Sequence, residues 1–209
     1  MPYKRKYVRR RKNKKNAYSI ATKALKKVNQ IAQGIEVKHH DKAPAQIDLD
    51  NDPGFTILND MESNITDDTR IGDRIKMLGL WLKMEINLNT VGQASFRFIV
   101  IYDKSNTINS ISRLLSLSAT ENVVNSTFKV DTRDQYILLK DKRFSLSNGY
   151  NRERLISLSC KMNKIAQYES ATTTVETGAV KLFAMSNLST GLATKPYMLF
   201  YSRIWFQDS

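Results

Sequence analysis

Lys4, Arg5, Lys6, Arg9, Arg10, Arg11, Lys12, Lys14 and Lys15 put nine fixed positive charges into the first fifteen residues, and Lys23, Lys26 and Lys27 add three more without a single intervening Asp or Glu. Side chains of this type and density do one kind of chemistry. They neutralise phosphates, because each contact releases condensed counterions and needs no base reading. Such a block repels itself and buries no apolar area to offset its ordering entropy, so residues 1–15 are expected to form a disordered arm until they meet an anion. Tyr3, Tyr7 and Tyr18 lie among these cations without a regular stacking interval.

Catalytic groupings are sparse by comparison. The chain contains no HExxH, Walker, GxGxxG or GxSxG pattern. His39 and His40 are adjacent and would point to opposite sides of an extended segment, which prevents both from holding one ion. Asp48, Asp50 and Asp52 resemble the start of a calcium loop, but its sixth position is Pro53 and its twelfth is Asn59, which cannot supply a bidentate carboxylate. An intrachain calcium site is therefore not expected, whereas calcium shared between subunits stays open. The single cysteine, Cys160, excludes an intramolecular disulfide and an all-cysteine metal cage. It alternates with Ile156, Leu158 and Met162, the spacing of a core side chain. No enzyme activity, metal or cofactor is expected.

The charge is segregated along the chain. Of the formal +13 carried by 209 residues, residues 1–27 account for +12, and the remainder holds 21 basic against 20 acidic side chains. That remainder suits one domain able to bury ~70% of its unfolded surface. No apolar run approaches the ~18 residues of a membrane span, and no secretory h-region follows the basic start, so a soluble protein made inside cells is expected.

Residues 16–34 read as an amphipathic basic helix, with Ile20, Ala24, Leu25, Val28 and Ile31 at helical spacing, Lys23, Lys26 and Lys27 opposite, and Gly34 as the stop. Two readings stand: a helix packed on its own domain, or one that orders by bundling with copies from neighbours while its lysines face phosphate. Residues 35–54, with Pro44 and Pro53, read as an extended connector. The body is then expected at 55–209, beginning with the short strand signal FTILNDME.

Within it, Leu78, Leu80, Leu82, Met84, Ile86 and Leu88 lie at alternate positions, while Ile75 and Met77 keep the opposite phase, which predicts a β-bulge around Leu78 and Gly79. SFRFIVIYD places Phe96, Phe98, Val100 and Tyr102 on one apolar face, so an RNA-recognition-type surface is not indicated there. SISRLLSLS is the one helix expected in the body. Further strands are expected over 135–139, 143–146, 155–162, 179–186 and 196–206. Roughly eight strands and almost no helix predict an all-β antiparallel sandwich or barrel. In the last strand Tyr197, Leu199, Tyr201 and Trp205 oppose Met198, Phe200, Ile204 and Phe206. The second apolar face calls for a subunit interface or an irregular local fold.

The segment TRIGDRIKMLGLWLKMEINLNTVGQASFRFIVIYDKSNT, Thr69 to Thr107, resembles the coat proteins of the satellite tobacco necrosis virus family, as also found in circular Rep-encoding single-stranded DNA viruses. Arg70, Gly72 and Asp73 match its Arg-x-Gly-Asp turn, and Phe96, Arg97, Phe98 and Asp103 its second strand. The resemblance implies a single eight-stranded jelly roll and a small icosahedral T = 1 shell of about 60 copies. It implies a virion protein that binds a single-stranded genome through Lys4 to Lys27, DNA in preference to RNA. The basic block would also suit a nuclear localisation signal. The competing reading is a non-viral architectural nucleic-acid-binding protein, which needs basic surface on its folded domain as well.

Overall fold

The computed structural model describes residues 19–25, 27–28, 36–64, 66, 68–89, 92–117, 122–191 and 193–208. The chain divides into two units, residues 1–36 and Val37–Ser209. In the first, residues 19–25 and 27–28 are helical.

The second unit contains nine strands: β1 (Lys38–Asp48), β2 (Phe55–Ile57), β3 (Arg74–Asn87), β4 (Gln93–Asp103), β5 (Tyr136–Ser147), β6 (Glu153–Tyr168), β7 (Val175–Thr177), β8 (Ala179–Ser186) and β9 (Tyr197–Asp208). They form two antiparallel sheets, ordered β1-β9-β3-β6-β7 and β2-β8-β4-β5. Setting aside the three-residue β7, the chain crosses between sheets at every connection except β4 to β5. This is the jelly-roll order, two interlocked Greek keys. Alternation builds the layer between the sheets: Ile75, Met77, Leu80, Leu82, Met84 and Ile86 of β3 meet Phe96, Phe98 and Val100 of β4 and Met198, Phe200, Ile204 and Phe206 of β9. The register of β3 slips between Met77 and Gly79 against both neighbours. The expected bulge lies there.

A second apolar cluster covers the opposite side of the four-stranded sheet. Ile99, Ile101, Phe183 and Met185 pack against Ile108, Ile111, Leu114, Val123 and Val124 of the β4–β5 connection. This explains why all eight residues of β8 are buried. The expected helix in this connection is a single turn, Ile111–Leu114.

Three expectations change. Residues 35–54 are not a connector, because β1 occupies 38–48 and pairs along β9. It escaped notice because an edge strand needs little apolar patterning, and its register shifts between Lys42 and Ala45, where Pro44 can sit without a ladder donor. The body thus begins at Val37 instead of Phe55. The strands expected at 135–139 and 143–146 are one strand, β5, whose charged centre Lys140 to Arg143 has no apolar alternation. The strand expected from Phe55 closes after Ile57.

Candidate nucleic-acid interface

Lys4, Arg5, Lys6, Arg9, Arg10, Arg11, Lys12, Lys14, Lys15 and Lys26 lie outside the described residues. Lys23 and Lys27 are on the helix and exposed. The apolar stripe beside them is exposed too, at 67% for Ile20, 63% for Leu25 and 57% for Val28.

The body, in contrast, buries four of its cations, Lys38, Arg70, Arg97 and Lys181. Lys181 and Asp103 are 1% and 0% exposed and meet at 2.9 Å. Asp103 also accepts the Ile108 N–H, and Lys181 donates to the Ile108 carbonyl. Arg97, fully buried, makes a bidentate contact with Asp141 at 3.0 and 2.9 Å and donates to the Val124 and Ser126 carbonyls. Together these two pairs rivet the β4–β5 connection to the sheet. Arg70 is equally buried, donates to the Gly72 and Thr172 carbonyls, pairs with Asp73 and lies 4.3 Å from the centre of the Tyr168 ring. Gly72 there has φ +82°, a backbone that side chains resist. Burial pushes the Tyr168 hydroxyl well above its usual range, and it donates to the Asn59 carbonyl. The matched residues Arg70, Arg97 and Asp103 therefore anchor loops to the jelly roll, whereas Phe96 and Phe98 belong to the core between the sheets. A charged residue inside the otherwise apolar Phe96 to Tyr102 run was the sequence signal for such a buried pair.

At the surface of the five-stranded sheet, Arg203 donates twice to Asp41 at 2.6 Å and once to the Tyr201 hydroxyl. Chiefly through the Arg203 hydrogen bonds, the Asp41 carboxyl is held down at about 2. Cys160 is half-buried against the main core, as its spacing suggested, and desolvation raises its thiol above the ordinary range.

The remaining candidates do not converge. Asp50 is occupied by the Lys195 ammonium at 2.9 Å and by the Asp52 N–H, leaving no open calcium loop. His39 and His40 fall on opposite sides of β1, against Trp205 and Ile204 respectively. Among the described residues no three His, Cys, Asp or Glu gather as a metal site. A hollow of about 410 Å³ beside β5 is lined by Phe128, Val130, Tyr136 and Leu138 with Lys129 and Arg133, and contains no carboxylate or imidazole. No helix is long and apolar enough to cross a membrane among the described residues.

Strand β9 is regular, with Met198, Phe200, Ile204 and Phe206 buried and Tyr197, Leu199 and Tyr201 only half-buried on the other face. Trp205 there is 37% exposed. The two-sided apolar pattern thus reflects an open outer face and not an irregular fold.

No protein-family model matches the chain, and no curated protein does. Among solved structures the chain is similar to that of Desmodium yellow mottle tymovirus, with 11% identity, 83% of this chain and 88% of that chain covered, and a TM-score of 0.41. The empty head of turnip yellow mosaic virus gives 9% identity, 84% and 82% coverage and 0.43. A decameric BFDV capsid protein gives 10%, 83% and 98% coverage and 0.41. The jelly-roll assignment itself stands on the strand order.

Proposed function

We propose that the chain is a virus coat protein whose jelly roll self-assembles into a small icosahedral shell and whose basic N-terminal segment packages a single-stranded genome. One observation carries this reading: twelve cations without an anion precede a charge-balanced β-sandwich whose buried cations are consumed by its own carboxylates and carbonyls. An architectural binder would spread basic surface over its fold. A coat protein concentrates it on one side of a shell wall. In a T = 1 particle, ~720 such charges would face the lumen, enough to neutralise that many phosphates of a genome of roughly one to two kilobases, with mobile ions supplying the rest. The chemistry is phosphate neutralisation by a structural protein, without a catalytic step.

Electron microscopy of the purified protein tests assembly: closed particles are expected, and soluble monomers at every salt and nucleic-acid concentration would overturn the proposal. The Arg-rich start MPYKRKYVRRRK is similar to that of capsid proteins of circular DNA viruses, which favours single-stranded DNA by analogy. A cargo destroyed by RNase and resistant to DNase would reverse that choice. The block Lys4 to Lys15 also suits nuclear import before assembly. A reporter fused to residues 1–27 should enter nuclei, and a cytoplasmic reporter would remove that role.

A further inference from the structure

Both tryptophans of the chain lie on the outward face of the five-stranded sheet, where strand register assembles them into a single patch. One cross-strand row is His39, Trp205, Gly79 and Lys161, and the next contains Asp41, Arg203 and Trp81. Tyr201 and Lys83 pair in the third. The indole lies over Gly79 at the bulge, where a Cβ would stand 3.5 Å from Trp205 Cε3, in ordinary van der Waals contact. Trp81 meets the Tyr201 ring edge-on, with centroids 5.6 Å apart, and anchors its N–H on Ser157 Oγ. Tyr201 is fixed in turn by Arg203, whose charge Asp41 already neutralises.

The charges left over on this half of the face are Lys76, Lys83 and Lys161, all exposed and without an ion pair among the described residues. The carboxylates Asp48, Glu85 and Glu153 lie in rows toward the other end. The cationic half is also the half where β1 starts, at Lys38 opposite Phe206, the strand that follows the basic segment in sequence. Half-open aromatic faces interleaved with unpaired lysines are what an unpaired base and its phosphate require. A duplex would offer no base face.

We propose that this half of the sheet is a sequence-tolerant stacking platform for single-stranded nucleic acid, with bases on Trp205, Trp81 and Tyr201 and phosphates on Lys76, Lys83 and Lys161. It rests on the packaging function proposed above and locates a second contact, on the folded body. The basic segment contains no tryptophan, so indole emission reports on the platform alone. The full-length protein is titrated with a fluorescein-labelled oligothymidylate, following dye anisotropy for total binding and tryptophan emission for the platform.

Emission should fall in parallel with anisotropy, whereas inorganic polyphosphate, which offers charge without bases, should leave it unchanged. Trp205→Ala should weaken binding about 5- to 150-fold at fixed salt. Lys83→Gln and Lys161→Gln should each reduce the log–log salt slope by roughly 0.7, which keeps the proposal testable if the tryptophan variant fails to fold. Binding without quenching, or equal quenching by polyphosphate, overturns the platform and leaves the basic segment as the packaging element. Quenching on concentrating the protein alone identifies a second copy as the occupant and also overturns it. No binding by either signal overturns the packaging function as well.

Discussion

Lys181→Met removes one charge from a pair that water scarcely reaches. Asp103 is 0% exposed, and its Oδ2 accepts from Lys181 and from the Ile108 N–H, while Oδ1 has no partner among the described residues. In the variant the carboxylate keeps one neutral donor and loses its counter-ion. Breaking a buried pair on one side costs about 3–5 kcal/mol. For a body of this size each kcal/mol moves the melting temperature by ~2–4 °C, so a drop of roughly 6–20 °C is expected. The loss should fall first on the β4–β5 connection, because Lys181 also holds the Ile108 carbonyl and lies 4.7 Å from the Phe55 ring centre. Thermal unfolding followed by near-ultraviolet circular dichroism, at a salt concentration that keeps the protein unassembled, reads the size of the effect. Adding Asp103→Asn retains an acceptor for Ile108 without the stranded charge, and the double variant should melt above the single one. A single variant within 2 °C of the parent (about 1 kcal/mol or less), or a double variant that melts lower still, would refute the reasoning.

Asp41 supplies the acid-side prediction. Its folded value of about 2 lies below the ordinary 3.8, so its contribution is present above the unfolded value and is lost as pH falls from about 4 to about 2. The urea midpoints of parent and Asp41→Asn should therefore converge over that window; a gap that stays constant would show that Arg203 does not hold the carboxylate. In the N-terminal helix, the exposed Leu25 and Val28 predict that Leu25→Ser with Val28→Ser lowers particle yield or cargo retention while circular dichroism of the jelly roll is unchanged. Normal assembly and packaging by that double variant would make the helix a simple tether.

How much was legible depended on how far each residue's neighbours are local. The phase change between Met77 and Leu80 is written in consecutive residues, so both the long strand and its bulge could be read directly. Strand β1 could not, since KHHDKAPAQID has an edge strand's composition and its pairing with β9 joins opposite ends of the chain. The centre of β5 was hidden for a related reason: Asp141 is there to meet Arg97, a partner no local pattern reveals. The polycation declares itself by composition alone. The aromatic and lysine patch does not, because Trp81 of β3 comes beside Tyr201 and Trp205 only through the β3–β9 register, and on β9 alone Tyr201 and Trp205 read as a generic second apolar face.

The central claim is that packaging resides in the basic segment while the jelly roll builds the wall. Deleting residues 1–15 and measuring nucleic acid per particle, from the 260/280 nm absorbance ratio of gradient-purified material and from extracted cargo, tests it most directly. The account predicts a body that still folds and particles that have lost most of their nucleic acid, with the residual cargo released more readily by salt. Particles of the truncated protein that contain as much nucleic acid as those of the full chain would contradict it.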